Sequence, residues 1–387
     1  MQLVAYGAQD IYLTGNPQIT FFKVVYRRHT NFSMEAIEQT LNGTVGFGAR
    51  VSSTVSRNGD LVGRMYVQTD LTSGDDLGAN AGHALINNVE VEIGGQRIDK
   101  QTGLWMETHA ELTEENKTGH TGAAATTRVA GTTFQNMACA GGLSGAGIAS
   151  TDTMYVPLRF WFCRNPGLAL PLIALQYHEV KVNLTLAAET EIFSGSATNT
   201  INNFKLFADY IYLDTEERRR FAQVSHEYLI EQVQEQSFGT DSTSCELNFN
   251  HPVKELIWVH GGVAAATTAV SHVTPETFSS LTATAQLKLN GHDRMSARPM
   301  TYFTRAQVYQ HHSGMGGIIQ KDAIAVYSFA LKPEEHQPSG TCNFSRIDNA
   351  RLVFSASVNS DQSLFVYAVN YNVLRVMSGM GGLAYSN

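Results

Sequence analysis

The chain has few charged residues for its length, and its negative net charge argues against a nucleic-acid-binding protein. Charged residues make up 16% of the 387 residues, below the roughly 25% that is usual for soluble domains. Low charge fits either a large core or a surface that other subunits cover, because interface cores are depleted in charge. The net charge of −8 argues against sequence-specific nucleic-acid binding, which needs surplus Lys and Arg.

Cysteines and long apolar runs are also scarce. The four cysteines, at positions 139, 163, 245 and 342, include no CxxC pair and no matched His spacing, so we predict no zinc site. Cys163 lies in an apolar run and is expected to be a buried small hydrophobe. No signal-peptide pattern is recognisable, and no apolar stretch approaches the ~18 residues that span a bilayer. We therefore expect a soluble protein made in the cytosol.

Signatures of catalysis are missing as well. HExxH, Walker A and GxGxxG patterns do not occur, and Ser144 misses the GxSxG spacing by one position. The adjacent His311 and His312 resemble a metal pair, but neighbours on a strand point to opposite faces, so we interpret them as turn or interface residues. Residues 334–336 (Glu-Glu-His) follow Pro333 and indicate a turn or short helical connection. We predict no catalytic residue, no cofactor, no metal and no enzyme.

Strand patterns dominate what is present. Apolar and polar residues alternate over residues 180–186, 89–93 and 285–289, which is the period of a strand with one buried face. Further β-rich runs are residues 64–71, 156–163, 204–213, 255–260, 323–331, 351–355 and 364–374. Helical patterns are few and short. They cover residues 104–112 and 214–223, the second with Asp214 or Thr215 as its N-terminal cap.

The two halves of the chain repeat the same blocks in the same order. The matched blocks are residues 91–96 with 287–292, 104–106 with 300–303, 160–166 with 327–333, 179–182 with 351–354, and 209–214 with 370–375. A repeat of this size indicates a duplicated domain. About eight strands in each half is the number found in a jelly roll. We predict an all-β chain of two consecutive eight-stranded antiparallel jelly rolls, with a few short helices in the connections.

The predicted division of the chain has four parts. These are an N-terminal arm at residues 1–32, a first jelly roll at 33–213, a linker or short helix at 214–225, and a second jelly roll with a C-terminal tail at 226–387. The arm has no counterpart in the second half. We therefore treat it separately from the two rolls.

Four stretches of the sequence resemble the major capsid proteins of nucleocytoplasmic large DNA viruses. They are residues 3–32, 209–221, 327–348 and 366–387. The resemblance implies a double jelly-roll subunit that trimerises into a pseudo-hexagonal capsomer and tiles the icosahedral shell of a large double-stranded DNA virus. Its implied partners are further copies of itself, neighbouring capsomers, minor capsid proteins and the membrane beneath the shell. It implies a location in the virion, and in the host cytoplasm or viral factory during assembly.

The same resemblance implies that the arm lies at the inner face of the capsomer, against minor capsid proteins or the membrane. The arm residues that we expect to make this contact are Phe21, Phe22, Tyr26, Arg27 and Arg28. Such aromatic residues would be poor choices for a free tail. Some viruses of this group glycosylate their capsid proteins, and of the five Asn-x-Ser/Thr sequons we single out Asn116 as the candidate for modification.

Two other functions stay open from the sequence. A carbohydrate-binding or hydrolytic protein built on paired β-sandwiches would show a cleft with clustered acids or exposed aromatic residues, and distant loops can assemble such a site without a local motif. A minor capsid or scaffold protein of the same fold would occupy few copies in a particle. The abundance of the protein in purified particles separates it from a major capsid protein.

Overall fold

The structure is a computed structural model, and it describes residues 32–72, 77–116, 131–143, 153–193, 195, 198–261, 271–360 and 362–385. Several residues singled out from the sequence lie outside this part of the chain. They are Phe21, Phe22, Tyr26, Arg27 and Arg28 of the arm, and Ser144. Within the described part, no helix is long and apolar enough to cross a membrane.

The first half of the chain folds into two antiparallel sheets. Its strands are β1 (Phe32–Gln39), β2 (Leu41–Asn42), β3 (Arg50–Thr54), β4 (Leu61–Thr72), β5 (Ile86–Ile93), β6 (Gln96–Thr102), β7 (Thr153–Pro157), β8 (Val180–Leu186) and β9 (Thr200–Leu213). One sheet has the order β1-β9-β4-β7 and the other the order β2-β3-β8-β5-β6. Because the chain crosses repeatedly between the two sheets, this is a jelly roll.

The second half repeats this arrangement. Its strands are β10 (His226–Phe238), β11 (Ser244–Glu246), β12 (Pro252–Gly261), β13 (Thr284–Leu289), β14 (His292–Asp293), β15 (Arg298–Pro299), β16 (Ile324–Ser328), β17 (Cys342–Asn343), β18 (Ala350–Phe354), β19 (Ser363–Met377) and β20 (Met380–Leu383). The sheets follow the orders β10-β19-β12-β16 and β11-β18-β13-β14. Strands β10, β19, β12 and β16 thus occupy the places of β1, β9, β4 and β7. The predicted double jelly roll is confirmed.

Short helices occupy the connections. They are α1 (Ala81–Ala84), α2 (Gly103–Thr113), α3 (Thr133–Ala138), α4 (Trp161–Arg164), α5 (Glu189–Ile192), α6 (Thr215–Gln223) and α7 (Gln307–His311), with a π-helical segment, Tyr302–Ala306, directly before α7. The two helices predicted from the sequence are α2 and α6. The Asp214 carboxylate caps α6 by accepting a hydrogen bond from the Thr215 backbone N–H at 2.7 Å.

One predicted strand was wrong in part. Residues 156–163 read as a continuous β run, but β7 ends at Pro157 and Trp161 begins the helical turn α4. Phe160, Trp161 and Phe162 are all buried, and a strand would send neighbouring side chains to opposite faces of its sheet. A helical turn instead brings all three rings into one core, where Phe160 and Phe162 stack with their centroids 5.7 Å apart.

The repeat was correct in its order but one residue out of register in the last strand. Ala208 of β9 pairs with Met65, and Ala368 of β19 pairs with Leu256. All four residues lie in the cores between the sheets of their rolls. Position 209 therefore corresponds to position 369, whereas the sequence comparison matched it with 370.

Each roll has its own core, and apolar residues also pack between the rolls. Ile230, Leu374 and Val376 of the second half belong to the core of the first roll. A third cluster combines residues of α2 with the sheet β10-β19-β12-β16. The two rolls are thus joined through buried apolar surface, whose removal from water stabilises their association by roughly 25 cal/mol per Å².

Candidate functional site

Helix α2 of the first roll packs on the outer face of a sheet in the second roll. Leu104, Trp105 and Leu112 form one buried cluster with residues of β12, β16 and β19. The rings of Trp105 and Tyr367 lie with their centroids 5.0 Å apart. Because α2 covers this face, β12 and β19 are buried on both sides along most of their length. Helix α2 is therefore one of the apolar connections between the rolls.

The second roll also caps the C-terminal end of α2. The backbone N–H groups of Gly316 and Gly314 donate to the carbonyls of Glu111 at 3.0 Å and Leu112 at 2.7 Å. The Ser313 hydroxyl donates to the Thr113 carbonyl at 3.2 Å. A helix end otherwise leaves its last carbonyls without partners. A Cβ on Gly314 would lie 2.4 Å from the Glu111 carbonyl oxygen, so this close approach requires glycine.

Two carboxyl groups are buried side by side within α2. Glu107 accepts hydrogen bonds from the backbone N–H groups of Gly141 at 3.0 Å and Gly142 at 2.7 Å, and it contacts His83 Nδ1 at 2.6 Å. Glu111 accepts the backbone N–H of Ile318, in the second roll, at 2.7 Å. Helix α2 thus holds loops of both rolls through acidic side chains.

Burial governs the protonation of these groups. It raises the pKa of Glu107 to about 7, and it lifts the pKa of Glu111 well above its usual range, with the adjacent Glu107 adding to the shift. Burial also lowers the pKa of His83 to about 3. At neutral pH His83 is therefore neutral, and Glu107 and Glu111 titrate as one interacting pair.

An ion cluster joins the rolls beside α2. The Glu231 carboxylate accepts hydrogen bonds from Arg164 of the first roll at 2.8 Å and pairs with Lys254 Nζ at 2.9 Å. Burial alone would raise the pKa of Glu231, but Arg164 and Lys254 outweigh it and hold the pKa below its usual range. Loss of one partner from such a buried group leaves an uncompensated charge and costs about 3–5 kcal/mol.

His312 lies between two carboxylates of the second roll. Its Nε2 is 3.0 Å from Glu255 and its Nδ1 is 3.1 Å from Glu334, and its side chain is 2% exposed. Burial lowers the pKa of His312, but the two carboxylates outweigh it and raise the pKa to about 9. The sequence argument assumed a strand at this position and interpreted both histidines as turn or interface residues. Instead α7 ends at His311, and the buried His312 belongs to an ion-pair cluster.

A cavity of about 820 Å³ opens between the rolls next to these clusters. Its charged and imidazole-bearing lining residues are Arg64, His109, Glu114, Arg159, Arg164, Asp209, Glu231, Lys254, Glu255, His312, Glu334 and His336. Many of these charges pair with one another, as Arg159 does with Glu114 at 2.8 Å. Among the described residues, no group of three or more His, Cys, Asp or Glu side chains is placed to hold a metal ion.

The C-terminal hairpin of the second roll contacts the first roll. The Tyr177 backbone N–H donates to the Gly379 carbonyl at 2.9 Å, and His178 Nδ1 lies 2.9 Å from the Gly381 carbonyl. Gly379 has φ +80°, and a Cβ there would lie 2.5 Å from the Tyr177 ring. This turn joins β19 and β20, so the end of the second roll is attached to the first.

The remaining residues predicted from the sequence have the following surroundings. Cys163 is buried, as predicted, and burial raises the pKa of its thiol to about 12. Residues 334–336 form a turn, and Glu334 of this turn joins the His312 cluster. Asn116 lies at the end of a described stretch with 8% exposure.

The sequence interpretation missed most of the charged residues that are buried at the junction of the two rolls. Glu107 and Glu111 lie in a helix whose apolar pattern was recognised, and Lys254 lies in an otherwise apolar strand. The available signal was a charged residue at a position where the pattern predicts burial. Such residues are rarely fully buried unless they are paired. Their partners come from distant parts of the chain, so the sequence alone did not reveal the pairs.

These features, two equivalent jelly rolls joined through α2, define the class of double jelly-roll proteins, and comparison with known proteins places the chain in a family. Residues 20–214 match the family described as major capsid protein N-terminus. Residues 217–382 match that of large eukaryotic DNA virus major capsid proteins. The chain belongs to the major capsid proteins of large eukaryotic DNA viruses, which confirms the resemblance seen in the sequence.

Individual relatives agree with this assignment. The chain is 54% identical over 413 residues to the major capsid protein of Pyramimonas orientalis virus, with 100% of this chain and 99% of the relative covered. It is 42% identical over 452 residues, with the same coverage, to the major capsid protein of Paramecium bursaria Chlorella virus 1.

Solved structures are similar as well. The crystal structure of PBCV-1 VP54 has a TM-score of 0.77 at 38% identity and covers 95% of this chain and 100% of VP54. The Faustovirus major capsid protein has a TM-score of 0.64 at 13% identity, covers 96% of this chain and 94% of its own, and shares the fold.

Proposed function

We propose that three copies of this chain form a pseudo-hexagonal capsomer, and that these capsomers tile the icosahedral shell of a large double-stranded DNA virus. The observation that carries the proposal is the equal strand order of the two rolls, held side by side by α2. Three chains with two equivalent rolls each supply six similar units around one axis. A closed ring of this kind agrees with the symmetry of most soluble oligomers.

The role of the chain is structural in this proposal, and it has no enzymatic function. The charges at the junction of the rolls are used in pairs that join α4 to β10 and β10 to β12, and that hold His312 against β12. Its partners are copies of itself, adjacent capsomers, minor capsid proteins and the membrane beneath the shell. It resides in the virion, after assembly in the host cytoplasm or viral factory.

The proposed parts of the chain serve different tasks. The first roll (33–213) and the second roll (226–387) form the tile, and residues 214–225 connect them. The arm (1–32), through Phe21, Phe22, Tyr26, Arg27 and Arg28, fastens the tile to the inner side of the shell.

Asn116 is the proposed glycosylation position. Because its side chain is 8% exposed, a glycan would require it to turn outward. An intact mass of the virion protein equal to the 42.3 kDa of the sequence would contradict modification.

Size-exclusion chromatography with light scattering tests the capsomer. Protein released from virions, or refolded, should give about 127 kDa, three times the 42.3 kDa of one chain. The same protein should form hexagonally packed arrays in electron micrographs. A stable monomer without arrays would contradict the proposal.

A further inference from the structure

The two rolls differ in how the outer faces of their equivalent sheets are covered. In the second roll, α2 covers this face, and strands β12 and β19 are buried on both sides along most of their length. In the first roll, the matching strands β4 and β9 alternate between buried and partly exposed residues over most of their length. The outer face of the sheet β1-β9-β4-β7 therefore lacks the cover that its counterpart has within the described chain.

Strand register identifies the residues on the uncovered face. Tyr66 pairs with Phe207, just as Ile257 pairs with Tyr367 in the second roll. Tyr155 pairs with Gln68 of β4, and Ile324 pairs with Val259 of β12. These two partners each lie two residues beyond Tyr66 and Ile257, so Tyr155 is the counterpart of Ile324. The rings of Tyr66 and Phe207 stack with centroids 5.2 Å apart.

Further apolar residues extend this face. Tyr155 is 39% exposed, and Met34 of β1, on the same side of the sheet, is 52% exposed. In the second roll, the counterparts of Tyr66, Phe207 and Tyr155 all contact the α2 cluster. Tyr66, Phe207 and Tyr155 are adjacent, because the Tyr66 ring also lies 6.2 Å from that of Tyr155 between centroids, and a group of apolar side chains of this kind at the surface marks an interaction surface.

The second roll carries a helical segment in the position that α2 has in the first. Residues 302–311 follow β15 and precede β16, as α2 follows β6 and precedes β7. Tyr302 packs against the core of its own roll, whereas Ala306 and Tyr309, at the start of α7 and within it, have the spacing of His109 and Leu112, which places each pair on one side of its helix. Tyr309 is 88% exposed, whereas Leu112 is buried in the contact between the rolls.

We propose that the helical segment 302–311 of one copy packs on the face around Tyr66, Tyr155 and Phe207 of a second copy. This contact repeats between subunits the contact that α2 makes within one chain. This inference rests on the proposed capsomer and specifies the surfaces through which neighbouring chains of the capsomer contact each other. Because the contact joins two different surfaces, it propagates around an axis until the ring closes.

Charge is compatible with this pairing. Residues 298–312 contain two arginines and no acidic residue. The outer face of the first roll carries Glu38, Asp70 and Asp209, of which Glu38 pairs with Lys205 at 3.0 Å. The helical segment therefore brings no acid toward the acids of this face. A contact between acids, which would oppose association, is avoided, and Arg305 of the segment is already neutralised by Asp322 at 2.7 Å, although Arg64 also lies on this face.

Substitution of Tyr309 tests the contact. Tyr309→Arg should weaken the trimer at least tenfold, because it places a charge in a desolvated apolar contact. Tyr155→Arg, on the opposite surface, should do the same. Tyr385→Arg is the matched control, because Tyr385 is 64% exposed and lies outside both surfaces. Light scattering over a dilution series measures the association, and circular dichroism checks that each variant is folded.

A photo-crosslinking residue at position 309 separates this inference from the capsomer itself. In wild-type-like trimers, crosslinked peptides should come from β4, β7 or β9 of another copy. Trimers that crosslink elsewhere, or that persist in Tyr309→Arg, would overturn this contact and leave the capsomer intact. A wild-type chain that stays monomeric would contradict both.

Discussion

The positive charge on the His312 imidazole stabilises the second roll. Its pKa is raised to about 9 in the folded chain by Glu255 and Glu334, against an ordinary value near 6.5. The stabilising charge is fully present below pH 6.5 and is lost as the pH rises toward 9. The shift corresponds to about 3 kcal/mol in favour of folding at neutral or lower pH.

We therefore expect His312→Gln to be less stable than the wild type at pH 6, by about 3 kcal/mol, with the difference shrinking toward pH 9. Urea unfolding at several pH values measures this. His311→Gln is the control and should keep the wild-type pH dependence, because His311 does not contact either carboxylate in the described structure. A His312→Gln deficit that is the same at pH 6 and pH 9 would show that the charge contributes nothing.

The pair Glu107 and Glu111 should make the stability of the fold depend on pH at lower pH values than His312 does. Their pKa values are raised by burial, so folding favours the protonated form and stability falls as the pH rises above about 4.5. Glu111→Gln removes one ionisation and retains a hydrogen-bonding amide. This variant should lose less stability than the wild type between pH 5 and pH 8, as measured by thermal unfolding. Glu216→Gln, on the exposed helix α6, should leave the slope unchanged.

At the scale of elements, we expect α2 to couple the unfolding of the two rolls. Leu104, Trp105 and Leu112 of this helix pack on the second roll, and the C-terminal end of the helix is capped by that roll. Trp105→Ala should cost about 3–5 kcal/mol, because it removes a large buried ring and leaves a cavity. The wild type should unfold in a single transition.

In the Trp105→Ala variant, the rolls should separate into two calorimetric transitions. Met137→Ala serves as a control, because Met137 is 37% exposed and its loss should leave one transition. A Trp105→Ala variant that unfolds in one transition with wild-type stability would show that α2 does not couple the rolls.

Sequence patterns were most informative about the positions of individual strands and helices. Alternation identified the central strands, and the capping residue Asp214 identified α6, because both signals are local. The turn α4 was missed, since its three consecutive aromatic residues fit a β run as well as a helical turn. The register of β19 was one residue out, because a strand match depends on partners that lie far away in the sequence.

At the scale of the whole molecule, the two rolls repeat one arrangement, and residues 1–32 are the arm that we propose as an attachment. If the arm attaches the tile to the inner side of the shell, deleting residues 1–30 should leave both rolls folded and impair assembly. Calorimetry measures the first property, and the yield of closed particles in an assembly reaction measures the second. Normal yield from the shortened chain would contradict the role of the arm.

Electron cryo-microscopy of the purified oligomer tests the capsomer most directly. The map should contain three chains whose six jelly rolls surround one axis, with the contact between chains resembling the α2 contact within a chain. A map with another number of chains, or with rolls that do not form a six-unit ring, would contradict it.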